Sequence, residues 1–356
     1  MTNPTRVCLV GAGRAGQVHA ESLVRHIPQG KLVALVDQNA AALEDAGSRF
    51  GVEARFSSLD EAAESVEFEA VVITTPTFTH CELAKAAAAR GKHILCEKPM
   101  ALTLTECDEM IAAAGQHGVL LQIGFMRRFD PDFEAAAARI EAGEIGRPML
   151  IKSLTHGPGL PPAWARDLNI SNGMLAEVNS HDWDSIRWLA HSNPERVYAE
   201  VSNFKGEKHG VNTPHYYDTA LVNVRFESGT LAAISGICPC DYGYDARVEI
   251  IGEKGLLQIG DLRGQSVVIC TDRDHGLVTP IFRTWPDRFA SAYVREMRHF
   301  LECIRTASQP RVSGHDGRWA VAGVRAATTS FLEERSVRLI EVLGKQNQDT
   351  SVGVGR

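Results

Sequence analysis

The stretch Gly11-Ala-Gly13-Arg-Ala-Gly16 constrains this chain more than any other, because it closes the apolar run Arg6–Val10 and opens the helix-forming run Ala15–Val24. In a strand–turn–helix unit each glycine has its own task. The first permits the tight turn, the second lets backbone approach a pyrophosphate, and the third lets helix pack closely on strand. The helix N-terminus then offers free N–H groups and the positive end of its dipole to phosphates. Such a spacing is weak alone. Here a second strand-like run, Lys31–Val36, ends at Asp37, 21 residues after Gly16, where a carboxylate can accept a hydrogen bond from a ribose 2′-hydroxyl. Gly11, Ala12, Gly13, Arg14, Ala15, Gly16 and Asp37 are thus candidate cofactor contacts. Asp37 would repel a 2′-phosphate and Gln38-Asn39 supply no cation to hold one, so the pattern favours NAD over NADP. The plainer alternative is a structural glycine turn with Asp37 as a helix cap.

Further apolar runs at Ala70–Ile73, His93–Cys96 and Val119–Gly124 alternate with helix formers at Ala40–Phe50, Thr79–Arg90 and Thr103–His117. Thr103 with Glu106 three residues on reads as a capping box. Alternating short strands and helices imply a doubly wound, mostly parallel α/β sheet, a Rossmann domain expected over 1–125. Beyond it the texture changes. A helix at Asp130–Ala142 precedes a strand at Met149–Thr155, a Gly/Pro-rich loop at 156–173 and a helix over Glu177–Ala190. Strands are expected at Glu195–Phe204, Asp218–Phe226, Leu231–Cys238, Arg247–Ile251, Leu256–Gly260 and Ser266–Thr271, then helices at Phe289–Thr306 and Asp316–Glu334. Consecutive strands with short turns indicate an α+β domain with an open, largely antiparallel sheet over 126–345, its late helices able to pack back on the first domain, before a polar tail at 346–356.

Composition narrows the function classes. With 356 residues, 44% hydrophobic and 23% charged, the chain is ordinary globular material for two domains. Its 37 basic and 44 acidic residues give a net charge of −7 without any block of like charge, so the basic footprint of a nucleic-acid binder is missing. No apolar run approaches the ~18 residues of a membrane span, and the glycine turn comes too early for an apolar signal region. A soluble cytoplasmic protein is expected. Cysteines at 8, 81, 96, 107, 238, 240, 270 and 303 have no framework spacing, and Cys238-Pro-Cys240 lacks a matching pair for zinc, so reduced, metal-free thiols are expected.

Three further segments carry chemistry. Thr74-Thr-Pro-Thr-Phe-Thr-His80 follows the third strand, making Thr75, Pro76, Thr77 and His80 candidate cofactor contacts at the same carboxyl edge, unless it is a simple turn capped by Thr77 or Thr79. Cys96-Glu-Lys-Pro99 follows the next strand, placing Glu97 and Lys98 beside any nicotinamide. A lysine there can donate to a substrate oxygen and steady developing negative charge, or be a solvated loop residue. Glu177 and His181 are four apart, so one helix face would pair a carboxylate with an imidazole able to take a hydroxyl proton. A surface ion pair or core histidine is the alternative, and Asp182 and Asp184 would fall on other faces as caps or solvated charges.

Together GAGRAG, Asp37, TTPTFTH, CEKPM, Gly124–Pro131 (GFMRRFDP) and the E-x-x-x-H helix resemble the Gfo/Idh/MocA oxidoreductase family. Asp241-Tyr-Gly-Tyr-Asp245, Glu249–Gly255, Arg288–Tyr293 and Asp316-Gly317 look like its inositol 2-dehydrogenase branch. The resemblance implies a Rossmann domain, a C-terminal domain whose open sheet packs into dimers or tetramers, and a catalytic set landing on Lys98, Glu177 and His181. Glu177 departs from the aspartate usual there, which shifts the carboxylate by one methylene. Arg127, Tyr242 and Tyr244 are substrate contacts by resemblance, against an Arg127–Asp130 pair and tyrosines packing a sheet edge. The loop from His156 to Asp167 is longer than its counterpart, and His156 and Trp164 could wall one side of a sugar pocket, unless it is a stiffened surface loop. The expectation is NAD-dependent oxidation of a secondary hydroxyl of a cyclitol or sugar. Its alternatives are a dehydrogenase or reductase of another pyranose (an anhydrosugar, glycoside or aminosugar) or a sugar- or NAD-sensing protein without turnover. The partners implied are a small polyol and further copies of the chain.

Overall fold

A computed structural model describes residues 3–264, 266–268 and 279–344. The chain divides into two compact units, one running to Glu134 and taking in Pro286–Arg318, the other comprising Ala135–Trp285 and the chain from Trp319 onward.

The first unit holds strands β1 (Thr5–Val10), β2 (Gly30–Val36), β3 (Arg55–Phe56), β4 (Ala70–Ile73), β5 (His93–Glu97) and β6 (Leu121–Gly124) in the order β3-β2-β1-β4-β5-β6. Every neighbouring pair is parallel. All four β4 residues are buried, as continuous apolar strands covered on both faces require. The strand order reverses between β1 and β4, which puts the ligand crevice of such a sheet at their carboxyl ends, beside Gly11 and Thr74. Helices α1 (Arg14–His26), α2 (Ala40–Phe50), α3 (Leu59–Ser65), α4 (His80–Ala89), α5 (Leu104–Gln116) and α6 (Pro131–Glu141) follow in turn. Local signals set their ends. The Asn39 side chain accepts from the N–H groups of Ala41 and Ala42 to start α2, and Thr103 and Glu106 form the expected capping box on α5. Short β3 and α3, the latter capped by Ser58, carried no pattern long enough to read. The core joins Val7, Leu9, Leu35, Val72 and Leu95 to Phe300 and Leu301 of the late helix Trp285–Thr306.

The second unit is built on β7 (Pro148–Pro158), β8 (Pro194–Ser202), β9 (Thr219–Phe226), β10 (Leu231–Cys240), β11 (Asp245–Gly252), β12 (Leu256–Ile259) and β13 (Val337–Arg338), ordered β12-β11-β7-β10-β9-β8-β13. All neighbours are antiparallel except β7 and β10. Burial alternates strictly along β9, the signature of a sheet covered on one face. Its helices include α7 (Ala163–Arg166), α8 (Leu168–Ser171), α9 (Gly173–Glu177) and α10 (Ser180–Ala190). Later in the chain come α11 (Trp285–Thr306), which apart from Trp285 belongs to the first unit, α12 (Gly314–Leu332), divided between the units after Arg318, and α13 (Leu339–Leu343). Trp183 and Ile186 of α10 are buried, and that helix packs on β7 and β10. The other sheet face exposes Tyr198, Leu221, Leu231 and Leu256.

Four expected elements differ from the structure, one of them lying partly outside the described residues. The helix expected over Glu177–Ala190 is two helices, parted at Val178–Asn179, so Glu177 and His181 do not share one continuous helix face. The loop expected at 156–173 begins as strand, since β7 runs to Pro158, and then forms α7 and α8. The strand ending at Cys238 continues through Pro239 to Cys240. Of the strand expected at Ser266–Thr271, residues 269–271 lie outside the described residues and 266–268 are not strand. Cys270 and the tail from 345 also lie outside. The seven described cysteines are buried free thiols. No helix among the described residues is long and apolar enough to cross a membrane.

Candidate functional site

In the first unit the glycine turn has the shape a pyrophosphate needs. Gly11 takes φ +101°, and a Cβ there would lie 2.8 Å from Thr74. A Cβ on Gly16 would come 1.9 Å from the Gly11 carbonyl oxygen, so helix and turn meet only because that side chain is missing. A Cβ on Gly13 would meet nothing within 4 Å, which leaves its backbone open to a ligand. Arg14 is exposed and Ala15 half-buried beside it. Asp37, at the end of β2, accepts from the Ala12 N–H at 2.6 Å with one oxygen and the Asn39 N–H at 2.7 Å with the other. Each oxygen keeps a lone pair, so the residues present fit a dinucleotide with a free 2′-hydroxyl.

The loop after β4 is stitched to this turn by Thr74, which was not among the expected contacts. Thr74 Oγ1 donates to the Gly11 carbonyl at 2.7 Å. Thr75 and Thr79 join hydroxyls at 2.6 Å, Thr77 is buried in a short 3-10 turn, and Thr79 donates to the Pro76 carbonyl rather than capping α4 through its side chain. His80 is buried, with Nε2 2.8 Å from the Thr75 carbonyl and Nδ1 2.9 Å from that of Pro99. It ties the β4 loop to the β5 loop. Burial outweighs these carbonyls and lowers its pKa.

At the β5 edge Glu97 is buried, its Oε1 2.7 Å from His19 Nε2, while Oε2 accepts the Lys98 N–H at 3.0 Å. Lys98 itself is half-buried. The segment after β6 is held by ion pairs, Arg128 with Asp316 at 3.0 Å and Arg288 with Asp130 at 2.9 Å. Arg127, expected as a substrate contact, is fully buried, its guanidinium 5.6 Å from the Phe133 ring and 5.9 Å from that of Phe289.

In the second unit His181 is buried in the first turn of α10. Its neighbour Asp182 is neither cap nor solvated charge: the buried carboxylate accepts from Ser153 Oγ at 2.5 Å, Thr155 Oγ1 at 2.6 Å and Asn179 Nδ2 at 2.8 Å. Strand alternation puts Ser153 and Thr155 on one face of β7, under α10. Asp184 is buried too, whereas Glu177 is half-buried.

The same alternation sends His156 to the opposite face. There its Nδ1 meets the Tyr242 hydroxyl and Nε2 lies 3.1 Å from Ser235 Oγ. Tyr242 donates to Asp245 at 3.1 Å, and Arg247 grips Asp245 with two bonds of 2.7 and 2.8 Å. Because the phenol's single proton goes to Asp245, His156 carries its proton on Nδ1 and accepts from Ser235. Burial lowers the His156 pKa, with Asp245 and Asp182 opposing. The structure thus joins His156 and Tyr242. Tyr244 is buried and Trp164 half-buried. Trp164 belongs to α7, where Arg166 and Ala165 line a small cavity with Leu168, Met174, Tyr216 and Tyr217. Those two tyrosines, unsuspected from sequence, lie just before β9, and Tyr217 accepts the Leu175 N–H at 3.1 Å.

Comparison with known proteins identifies the family. The family described as "Oxidoreductase family, NAD-binding Rossmann fold" matches residues 5–125, and the GFO/IDH/MocA C-terminal domain matches 133–258. The chain is 35% identical over 345 residues to the scyllo-inositol 2-dehydrogenase (NAD(+)) of Bacillus subtilis, covering 95% of this chain and 97% of that one. It is 33% identical over 339 residues to the myo-inositol 2-dehydrogenase of Thermotoga maritima, covering 95% and 100%. The crystal structure of scyllo-inositol dehydrogenase from Lactobacillus casei with bound NAD(H) and scyllo-inositol superposes with a TM-score of 0.85 at 27% identity, over 95% of this chain and 99% of that one. The chain belongs to the Gfo/Idh/MocA oxidoreductase family, and its first unit is that family's NAD-binding Rossmann fold.

Proposed function

We propose that this protein oxidises a secondary hydroxyl of a cyclitol to the ketone, with NAD as the oxidant, Lys98 steadying the reacting oxygen and His181 as the general base. The observation that carries the reading is topological. Lys98 leaves β5 at the same carboxyl edge where the Gly11 turn leaves β1, within one parallel sheet. The inositol dehydrogenases among its relatives, alike over nearly the whole chain, support the substrate class.

When bound, NAD supplies the acceptor for the hydride leaving the carbinol carbon. The chain's residues handle the oxygen and its proton. Lys98 donates from Nζ to the hydroxyl oxygen and stabilises the charge it gains as the proton departs. His181 takes that proton on its imidazole, held in place by the anchoring of Asp182 next to it. Glu177 supports the imidazolium from the end of α9. His156, Tyr242, Tyr244 and Trp164 serve the polyol, the first two as one hydrogen-bonded pair. Glu97 and His80 act on the cofactor side by fixing the loops that carry Thr75 to Thr77 and Lys98.

Self-association fits the same reading, since Tyr198, Leu221, Leu231 and Leu256 lie exposed on the open sheet face.

Replacing His181 by Ala tests the assignment. Turnover falls ~10²-fold or more while NADH still binds. Undiminished turnover would show the base to be wrongly assigned.

A further inference from the structure

In the interior of the first unit, α1, β5 and α11 bring three ionisable side chains together. His19, Glu97 and Glu296 are 1%, 5% and 0% exposed, and one atom from each lies within 4.8 Å of the others. The partnerships are unequal. His19 and the Lys98 N–H engage the two Glu97 oxygens, at 2.7 and 3.0 Å. Neither oxygen of Glu296 has a hydrogen-bond partner among the described residues, and nor does His19 Nδ1. Tyr293, three residues before Glu296 and so on the same face of α11, packs nearly perpendicular to the His19 ring with centroids 5.3 Å apart. Gln122 donates to the Glu296 backbone carbonyl at 3.4 Å.

We propose that Glu296 is a positioning residue for Lys98, acting through His19 and Glu97 from the interior side of the β5 loop. This rests on the role given to Lys98 above. Two carboxyls in one dry volume cannot both ionise cheaply. Burial, then the charge of Glu97, pushes Glu296 well above the usual carboxyl range. Glu97 stays below that range because, against its own burial, the hydrogen bond and charge of His19 and the charge of Lys98 favour the anion. Glu296 is thus the neutral acid and Glu97 the anion. The neutral acid fills the space behind His19 without drawing it off Glu97 as a second anion would. Glu97 in turn holds the backbone from which the Lys98 side chain departs, where small displacements are costly to catalysis. A metal does not suit the arrangement: the 2.7 Å His19–Glu97 contact is a hydrogen bond, closer than the roughly 3.3 Å between two tetrahedral ligands of one zinc at ~2.0 Å.

The test is a mutant cycle in the full-length enzyme, with Glu296→Gln, Glu296→Leu and Lys98→Met alone and Lys98→Met combined with each. Initial rates, NADH binding by fluorescence and thermal melts are recorded for every variant. Glu296→Gln, neutral and of the same shape, keeps kcat within about threefold of the parent. Glu296→Leu lowers kcat by about tenfold or more, leaving NADH affinity unchanged. In the Lys98→Met background the Leu substitution costs nothing further, because its effect passes through Lys98. If the Leu variant does not fold, Glu97→Gln takes its place in the cycle. An equal loss in both backgrounds, an inert Leu variant, or a Gln variant as impaired as Leu overturns the proposal. A Lys98→Met enzyme with full kcat would instead overturn the role of Lys98, a separate and recognisable failure.

Discussion

Asp37 accepts the Ala12 N–H at 2.6 Å, so the carboxylate at the end of β2 also staples the glycine turn that follows β1. Asn39 completes the arrangement by donating its N–H to the other oxygen at 2.7 Å. One side chain therefore shapes the glycine turn, and on the proposed reading it also offers an acceptor to the ribose.

Removing it strikes both tasks. A hydrogen bond to a charged group contributes about 1.5–3 kcal/mol, so Asp37→Ala weakens NADH binding by roughly 10- to 100-fold in a fluorescence titration. Discrimination against NADPH narrows too, because the repulsion of its 2′-phosphate is gone. Unchanged preference would mean that another group reads the ribose.

Asp182 is the anchor of α10. Asp182→Ala leaves the hydroxyls of Ser153 and Thr155 and the amide of Asn179 without their buried acceptor. The cost is about 2–4 kcal/mol, read as a lower urea midpoint, and turnover drops with it because His181 is the neighbouring residue. Asp182→Asn, which keeps the shape but donates where it should accept, recovers only part of the loss.

Acid should destabilise the fold between neutral pH and pH ~5.5. Burial depresses the folded-state pKa of His80, and the largest cause is the same at His93, His156 and His299. A depressed histidine contributes stability that is present above its unfolded pKa of ~6.5 and is lost as pH falls toward the folded value. Urea midpoints therefore decline below pH ~6.5, and His80→Asn flattens the decline. A midpoint indifferent to pH across this window would contradict the buried neutral state.

Tyr242→Phe keeps the ring but cuts the chain from Arg247 and Asp245 to His156. With His156 serving the polyol, KM for the polyol rises several-fold to about 10-fold while NADH affinity and melting temperature hold. An equal loss of cofactor affinity would place the pair elsewhere in the cycle.

What the sequence revealed divides by the range of the interactions. The glycine turn, Asp37 and the Thr103–Glu106 capping box are local grammar, complete within a few residues or one strand–helix unit, and they were legible. The break at Val178–Asn179 was not, because Asn179 spends its amide on Asp182 and on the Ser235 carbonyl, 56 residues away. Asp182 looked like a surface charge for the same reason: its acceptor role is completed by Ser153 and Thr155 on a strand far upstream. The packing of Arg127 near the Phe133 and Phe289 rings had no local signal, because Phe289 lies far downstream in the chain. Glu296, on a helix whose periodicity was plain, gains its significance only beside His19 and Glu97.

The most direct measurement follows NADH absorbance while the purified enzyme meets NAD, and separately NADP, with myo- and scyllo-inositol, other inositol isomers, aldoses, anhydrosugars and glycosides. The account predicts NADH formation with an inositol and little or none with NADP. No turnover of any cyclitol by an enzyme that binds NAD would contradict it, and turnover confined to a pyranose would keep the chemistry of Lys98 and His181 while moving the substrate.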